Sequence, residues 1–232
     1  MSKRTIVIAG GAHGIGLAVA RAAAAQGDEA IIVDRVPPSG TVDARFVRVD
    51  LSSARQADEA LGSLVKSEDR IDALVVAAGR AANGALGDRP AHEWSEHLSN
   101  DVLSVVVPAR VLLPALIQTG RDYGVADIVV VGSIAGDTAF KNAVVYGAGS
   151  AARNSFGEQL RIELRHENVR VRSIHLGYVR TRAIKPTVLE SPFADTPLTP
   201  EDVSVVIMHE LDQPAHVSTH DIVLVPTRQG WA

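Results

Sequence analysis

The 232 residues are 46% hydrophobic and 22% charged, with a formal charge of −4. That balance fits a soluble globular chain able to bury one substantial core, and it gives no electrostatic reason to expect nucleic acid or an anionic membrane as a partner. With no cysteine, the chain has neither disulfide nor thiol chemistry, which fits a cytoplasmic setting.

The first residues run directly into an apolar segment at 5–9, leaving no room for a signal peptide. Further short apolar runs at 30–33, 45–49, 73–77, 127–131, 169–175 and 222–225 read as strands covered on both faces. Between them, 16–26, 53–67, 92–118, 143–167 and 200–211 have helix length. This alternation predicts an α/β fold: a doubly wound, Rossmann-type parallel sheet in a single domain. The longest apolar run, 102–117, is interrupted by Pro108, Arg110 and Pro114 and falls short of the ~20 residues a spanning helix needs, so a buried helix is expected. The stretch 178–199, with three prolines and four threonines, reads as a substrate lid.

Ala9-Gly-Gly-Ala-His-Gly-Ile-Gly16 follows the first strand and opens the first helix, the context in which a glycine pattern signals a dinucleotide. Gly10 permits a tight turn, Gly14 lets the backbone approach a pyrophosphate and Gly16 allows close helix packing, while the helix N-terminus favours the anion. Asp34, ending the second strand, accepts bonds from ribose hydroxyls and repels a 2′-phosphate, so it favours NAD. Arg35 leaves NADP open, because its guanidinium could pair with a 2′-phosphate, stack on adenine or simply be solvated. Asp50-Leu51 ends the third strand, where Asp50 could cap the helix beginning near Ser53.

Ser133 stands thirteen residues before Tyr146 in Tyr146-Gly-Ala-Gly-Ser150. With the glycine loop, this pattern resembles the short-chain dehydrogenase/reductase family, whose signature is a serine followed by Tyr-x-x-x-Lys. The resemblance covers nearly the whole chain. It implies a cofactor site built from Gly10, His13, Gly14, Ile15, Gly16, Asp34, Arg35, Asp50 and Leu51, although His13 by itself reads as solvated. Ala78 and Gly79 stand in the family's Asn-Asn-Ala-Gly segment, here Val76-Ala-Ala-Gly79. Leu176-Gly177-Tyr-Val-Arg-Thr181 resembles its Pro-Gly-x-x-x-Thr segment, implying that Gly177, Val179 and Thr181 lie beside the nicotinamide.

In the family the tyrosine exchanges a proton with the substrate oxygen and the serine holds that oxygen, roles that fall to Tyr146 and Ser133. The family's lysine binds the nicotinamide ribose and lowers the tyrosine pKa by its charge; its position is Ser150. The family's asparagine, which holds a water touching that lysine, corresponds to Asp101 when counted back from Pro114, with Asn100 one register away. The usual relay is therefore expected to be impaired or rebuilt, and Ser150→Lys to raise activity and move the pH profile down. Arg153 and Lys141 could supply a substitute cation, but each reads first as a solvated or interface side chain. Arg161, Arg165, Arg170 and Arg172 read as a helix surface and the start of a strand. The histidines have no metal-ligand spacing.

The resemblance implies an NAD(H)-dependent oxidoreductase acting on a small alcohol or carbonyl, paired as a homodimer or homotetramer through 92–118 and 143–167. Two alternatives stand beside it: a cofactor-binding sensor or assembly partner without turnover, and a non-redox enzyme on the same scaffold. Halohydrin dehalogenases, which resemble the family but lack the glycine loop, argue against the last.

Overall fold

A computed structural model describes residues 3–79, 82–181 and 196–229. Strands β1 (Thr5–Ala9), β2 (Glu29–Asp34), β3 (Arg45–Arg48), β4 (Ala73–Val76), β5 (Ala126–Ser133), β6 (Val169–Leu176) and β7 (Asp221–Leu224) form one sheet. Its order is β3-β2-β1-β4-β5-β6-β7, and every pairing is parallel. The near-continuous apolar runs are explained by burial on both faces, since β4 and β6 are buried at every position.

Helices α1 (Gly14–Ala25) and α5 (Pro200–Leu211) cover one face; α2 (Ala54–Ser67), α3 (Ala91–Tyr123) and α4 (Val144–Leu164) cover the other. Alternate strand residues feed the two cores: Ile6, Ile8 and Ile32 pack toward α1 and α5, and Val7, Ile31 and Leu74 toward α2 and α3. α5 begins where the sequence places it, because Thr199 and Asp202 close a capping box in front of Pro200.

α3 is longer than the predicted 92–118. It runs through Pro108 and Pro114 to a left-handed Gly124 at φ 91°. Among the described residues it alone is long and apolar enough, by length and composition, to cross a membrane. Here it packs against α2, α4, β4 and β5, with Val105, Leu112 and Leu116 buried.

Two further readings change. Arg170 and Arg172 lie at the start of a strand, β6, as read, but their side chains are buried: both bind Asp127 across the β5–β6 pairing, and Arg172 also faces Glu210. Asp50 does not cap α2. The Ser52 hydroxyl and amide hold its carboxyl below the usual carboxylate range, with Arg35 adding to the effect. The predicted lid, 178–199, falls largely outside the described residues, which resume at 196.

Candidate active site

Strand order reverses at β1, with β2 on one side and β4 on the other. The crevice at the carboxyl ends of these strands is where such sheets bind ligands. Gly10 sits there with φ +83°, and a Cβ at this position would lie 2.4 Å from the Ala78 backbone. A Cβ at Gly16 would lie 2.2 Å from the Gly10 carbonyl oxygen. Both glycines are therefore obligatory, and together they press the loop flat against the start of α1.

Asp34 is fixed at the far side of this loop. One carboxylate oxygen accepts the Ala12 amide at 3.1 Å and the other accepts the Val36 amide at 3.4 Å. A carboxylate oxygen has lone pairs beyond one such bond, so both can accept a further hydroxyl. His13 is exposed at the head of α1, and Arg35 is exposed beyond β2. His13, Gly14, Leu17, Arg21, Arg180 and Thr181 line a cavity of about 280 Å³. Thr181 approaches Gly14 closely enough that a Cβ there would meet its methyl at 3.4 Å. The glycine loop and the segment after β6, far apart in sequence, thus share one wall. Val179 is buried and bridges Leu198, and the Gly177 amide donates to Leu224.

The catalytic candidates gather where β4 and β5 meet α3 and α4. Ser133 ends β5 in extended conformation, and its hydroxyl oxygen accepts the Ala135 amide at 3.1 Å. Its carbonyl is held by the Asn154 amide group at 3.1 Å, which also donates to Asp137; Asp137 in turn lies 2.7 Å from His175 Nδ1. A short helical turn, Ile134–Gly136, packs on α4 and brings Ser133 toward that helix. Tyr146, half-buried, lies in the first turn of α4. Ser150 follows one turn on, buried at 2% exposure.

Arg153, two turns from Tyr146, overturns its expected place in solvent. It is 6% exposed, and its guanidinium donates to the carbonyls of Ala78 (2.7 Å), Asp101 (3.1 Å) and Val131 (2.8 Å) and to Ser104 Oγ (3.1 Å). Burial pushes this guanidinium down from its ordinary value, opposed by the charges of Asp101 and Tyr146. The sequence spacing that puts Tyr146, Ser150 and Arg153 on one helix face was visible; the acceptors, mostly backbone carbonyls, were not. Lys141 is exposed, as expected.

Asp101 is buried against α4, with Oδ2 only 2.6 Å from where a Cβ on Gly149 would stand. That missing side chain admits the carboxylate between Tyr146 and Arg153. One turn earlier on α3, His97, which the sequence reading passed over, brings Nε2 to 3.2 Å from Asp101 Oδ2. Its ring centroid lies 6.4 Å from that of Tyr146. The signal was an i, i+4 His/Asp pair, readable once the inward face of α3 is known.

Comparison with known proteins bears on the fold and the family. The chain is 29% identical to sulfoacetaldehyde reductase 2 of Chromohalobacter salexigens over 98% of its own length and 96% of that protein's. Among solved structures, serine dehydrogenase from Escherichia coli superposes with a TM-score of 0.82 at 25% identity, covering 98% of this chain and all of that one. The RhlG/NADP active-site complex from Pseudomonas aeruginosa gives 0.84 at 26%, covering 95% and 94%. Residues 4–191 match the sequence profile of the short chain dehydrogenases, and the chain belongs to that family of oxidoreductases.

Proposed function

We propose that the protein is an NAD(H)-dependent reductase or dehydrogenase of a small carbonyl or alcohol, with Tyr146 as acid/base, Ser133 as the group that holds the substrate oxygen, and Arg153 as the cation of the site. The observation that carries this reading is the Arg153 guanidinium, enclosed among four acceptors two turns from Tyr146. A buried cation there answers the loss of charge at Ser150, where the family resemblance places lysine. The site is thus rebuilt rather than vacant of positive charge.

The crevice suits a nicotinamide dinucleotide: Gly10 and Gly16 let the loop fold tightly against Ala78 and the start of α1, whose N-terminus would receive the pyrophosphate, and Asp34 would offer its carboxylate to the adenosine ribose. When bound, that cofactor supplies or takes up hydride. In reduction, the Tyr146 hydroxyl gives its proton to the carbonyl oxygen while the Ser133 hydroxyl holds that oxygen. Ser150, one turn along, would offer its hydroxyl to the cofactor ribose. The substrate of the sulfoacetaldehyde reductase relative makes short aldehydes carrying an anionic group the first compounds to test.

The test is a fluorescence titration with NADH and NADPH, followed by a panel of carbonyls that includes sulfoacetaldehyde. NADH binding with turnover is expected; binding alone would favour the sensor alternative. NADH should bind more tightly than NADPH, and Asp34→Ala should weaken NADH and narrow the gap. If the unaltered protein takes NADPH at least as tightly, Arg35 becomes the determinant. A homodimer or homotetramer paired through α3 and α4 is also expected. Sedimentation equilibrium showing a lone 24.5 kDa species at micromolar concentration would remove it.

A further inference from the structure

The active face of α3 carries a second titratable pair that the proposed chemistry does not yet use. His97 and Asp101 are both buried, their side chains 7% and 3% exposed, and stand one helical turn apart with Nε2 and Oδ2 at 3.2 Å. The imidazole packs edge-on to Trp94, with centroids 6.5 Å apart, and tilts at 40° against the Tyr146 ring. Tyr146 and Arg153 on α4 are charged or titratable neighbours of the pair, and Arg89 stacks on the Trp94 ring beside it. Arg153 grips the Asp101 carbonyl and so fixes the backbone from which the carboxylate projects. Gly149 removes the side chain that would otherwise drive that carboxylate away. A histidine within ion-pair distance of a buried carboxylate, its ring packed near a tyrosine ring, is suited to proton exchange, because the carboxylate favours the imidazolium.

We infer that His97, held by Asp101, is the group through which Tyr146 recovers its proton. This rests on the reading of Tyr146 as the acid/base. In reduction, the Tyr146 proton passes to the substrate oxygen as the carbonyl carbon gains hydride and the carbon–oxygen double bond becomes single. The phenolate that remains takes a proton from the His97 imidazolium, whose positive charge is balanced by Asp101, and the neutral imidazole is recharged from water. In oxidation each proton moves in reverse. His97 acts through Tyr146 and does not itself meet the substrate. The lost ammonium at position 150 and the histidine at position 97 are then two parts of one rearrangement: Arg153 supplies fixed charge, and His97 supplies the exchangeable proton.

Two measurements test this, one of them independent of any substrate. In the cofactor-free protein with ¹³C-labelled histidine, the His97 resonance is identified by its loss in His97→Gln and followed against pH. Its midpoint should fall in Asp101→Asn, which removes the charge that favours imidazolium, and should shift in Tyr146→Phe. An unchanged midpoint in both variants overturns the inference, whether or not a substrate is known. With a carbonyl that the unaltered enzyme reduces, His97→Ala should lower kcat by about 10²-fold, the low end of general acid–base assistance, with KM and NADH affinity unchanged. Added imidazole should restore much of the loss. His97→Gln keeps the shape of the site should the alanine variant fold poorly; it should show the same kcat deficit and lose the histidine-dependent limb of the pH profile. A deficit that imidazole does not restore, together with an unaltered pH profile in His97→Gln, would assign His97 a packing role only. Absence of turnover in the unaltered protein counts against the proposed function, and the resonance titration then decides the relay separately.

Discussion

Tyr146→Phe is expected to lower carbonyl reduction by roughly 10²–10⁴-fold, the range for a positioned general acid–base group, with little effect on NADH affinity. The substitution removes one oxygen from a half-buried ring on the first turn of α4 and leaves the ring packing beside His97 in place. The loss therefore falls on the chemical step. Stopped-flow measurement of NADH oxidation under single-turnover conditions separates that step from product release. A variant that retains its rate would show that the proton comes from elsewhere, and the oxidoreductase mechanism argued above would be wrong.

Asp127→Asn is expected to cost about 3–5 kcal/mol of stability, the usual consequence of stripping one partner from a buried ion cluster. Asp127 accepts from Arg170 at 2.8 and 2.9 Å and also from Arg172, whose side chain is fully buried. Burial pushes the Arg172 guanidinium down, and Asp127 is the strongest influence opposing it. Asparagine keeps the shape but takes the carboxylate from both buried cations, leaving Glu210 at 3.3 Å from Arg172. Thermal unfolding should move down by roughly 6–20 °C for a domain of this size, while NADH binding by the folded fraction stays as it was, since Asp127 lies at the opposite end of β5 from Ser133. A shift under about 1 kcal/mol in urea titration would mean that the carbonyls of Gln213, Pro214 and Val217 around Arg170, and Thr219 and Glu210 beside Arg172, suffice to hold the arginines.

The architecture was legible because strands buried on both faces read as unbroken apolar runs, and because Thr199-Pro200 announces a helix start by known capping chemistry. The ends of α3 were less legible. Its last turns are polar and surface-facing, so periodicity fades there, although Gly124 was an available stop signal. Within the site, Ser133, Tyr146, Asp101 and Ser150 were reached by spacing, and the structure brings their segments together. Arg153 was misplaced because arginine's default is solvent, and nothing in a sequence marks three backbone carbonyls and a hydroxyl converging on one point. The burial of Arg170 and Arg172 was illegible for a related reason: their partner Asp127 lies more than forty residues away. Ser150→Lys would put an ammonium on the same buried helix face as the Arg153 guanidinium, and its rate and pH profile measure whether a lysine there adds to the site.

The guanidinium of Arg153 also bears on how the chain becomes competent. Its acceptors are separated from it by 75, 52, 49 and 22 residues, so the contacts form only once β4, β5, α3 and α4 have all docked. Contacts of such long sequence separation are slow to assemble because each closes a large loop. A molecule with its helices formed and its outer strands paired, yet with this junction open, would display most of the native circular dichroism and none of the chemistry. Recovery of catalysis after denaturation would then report the closing of the sheet's centre and trail the recovery of secondary structure.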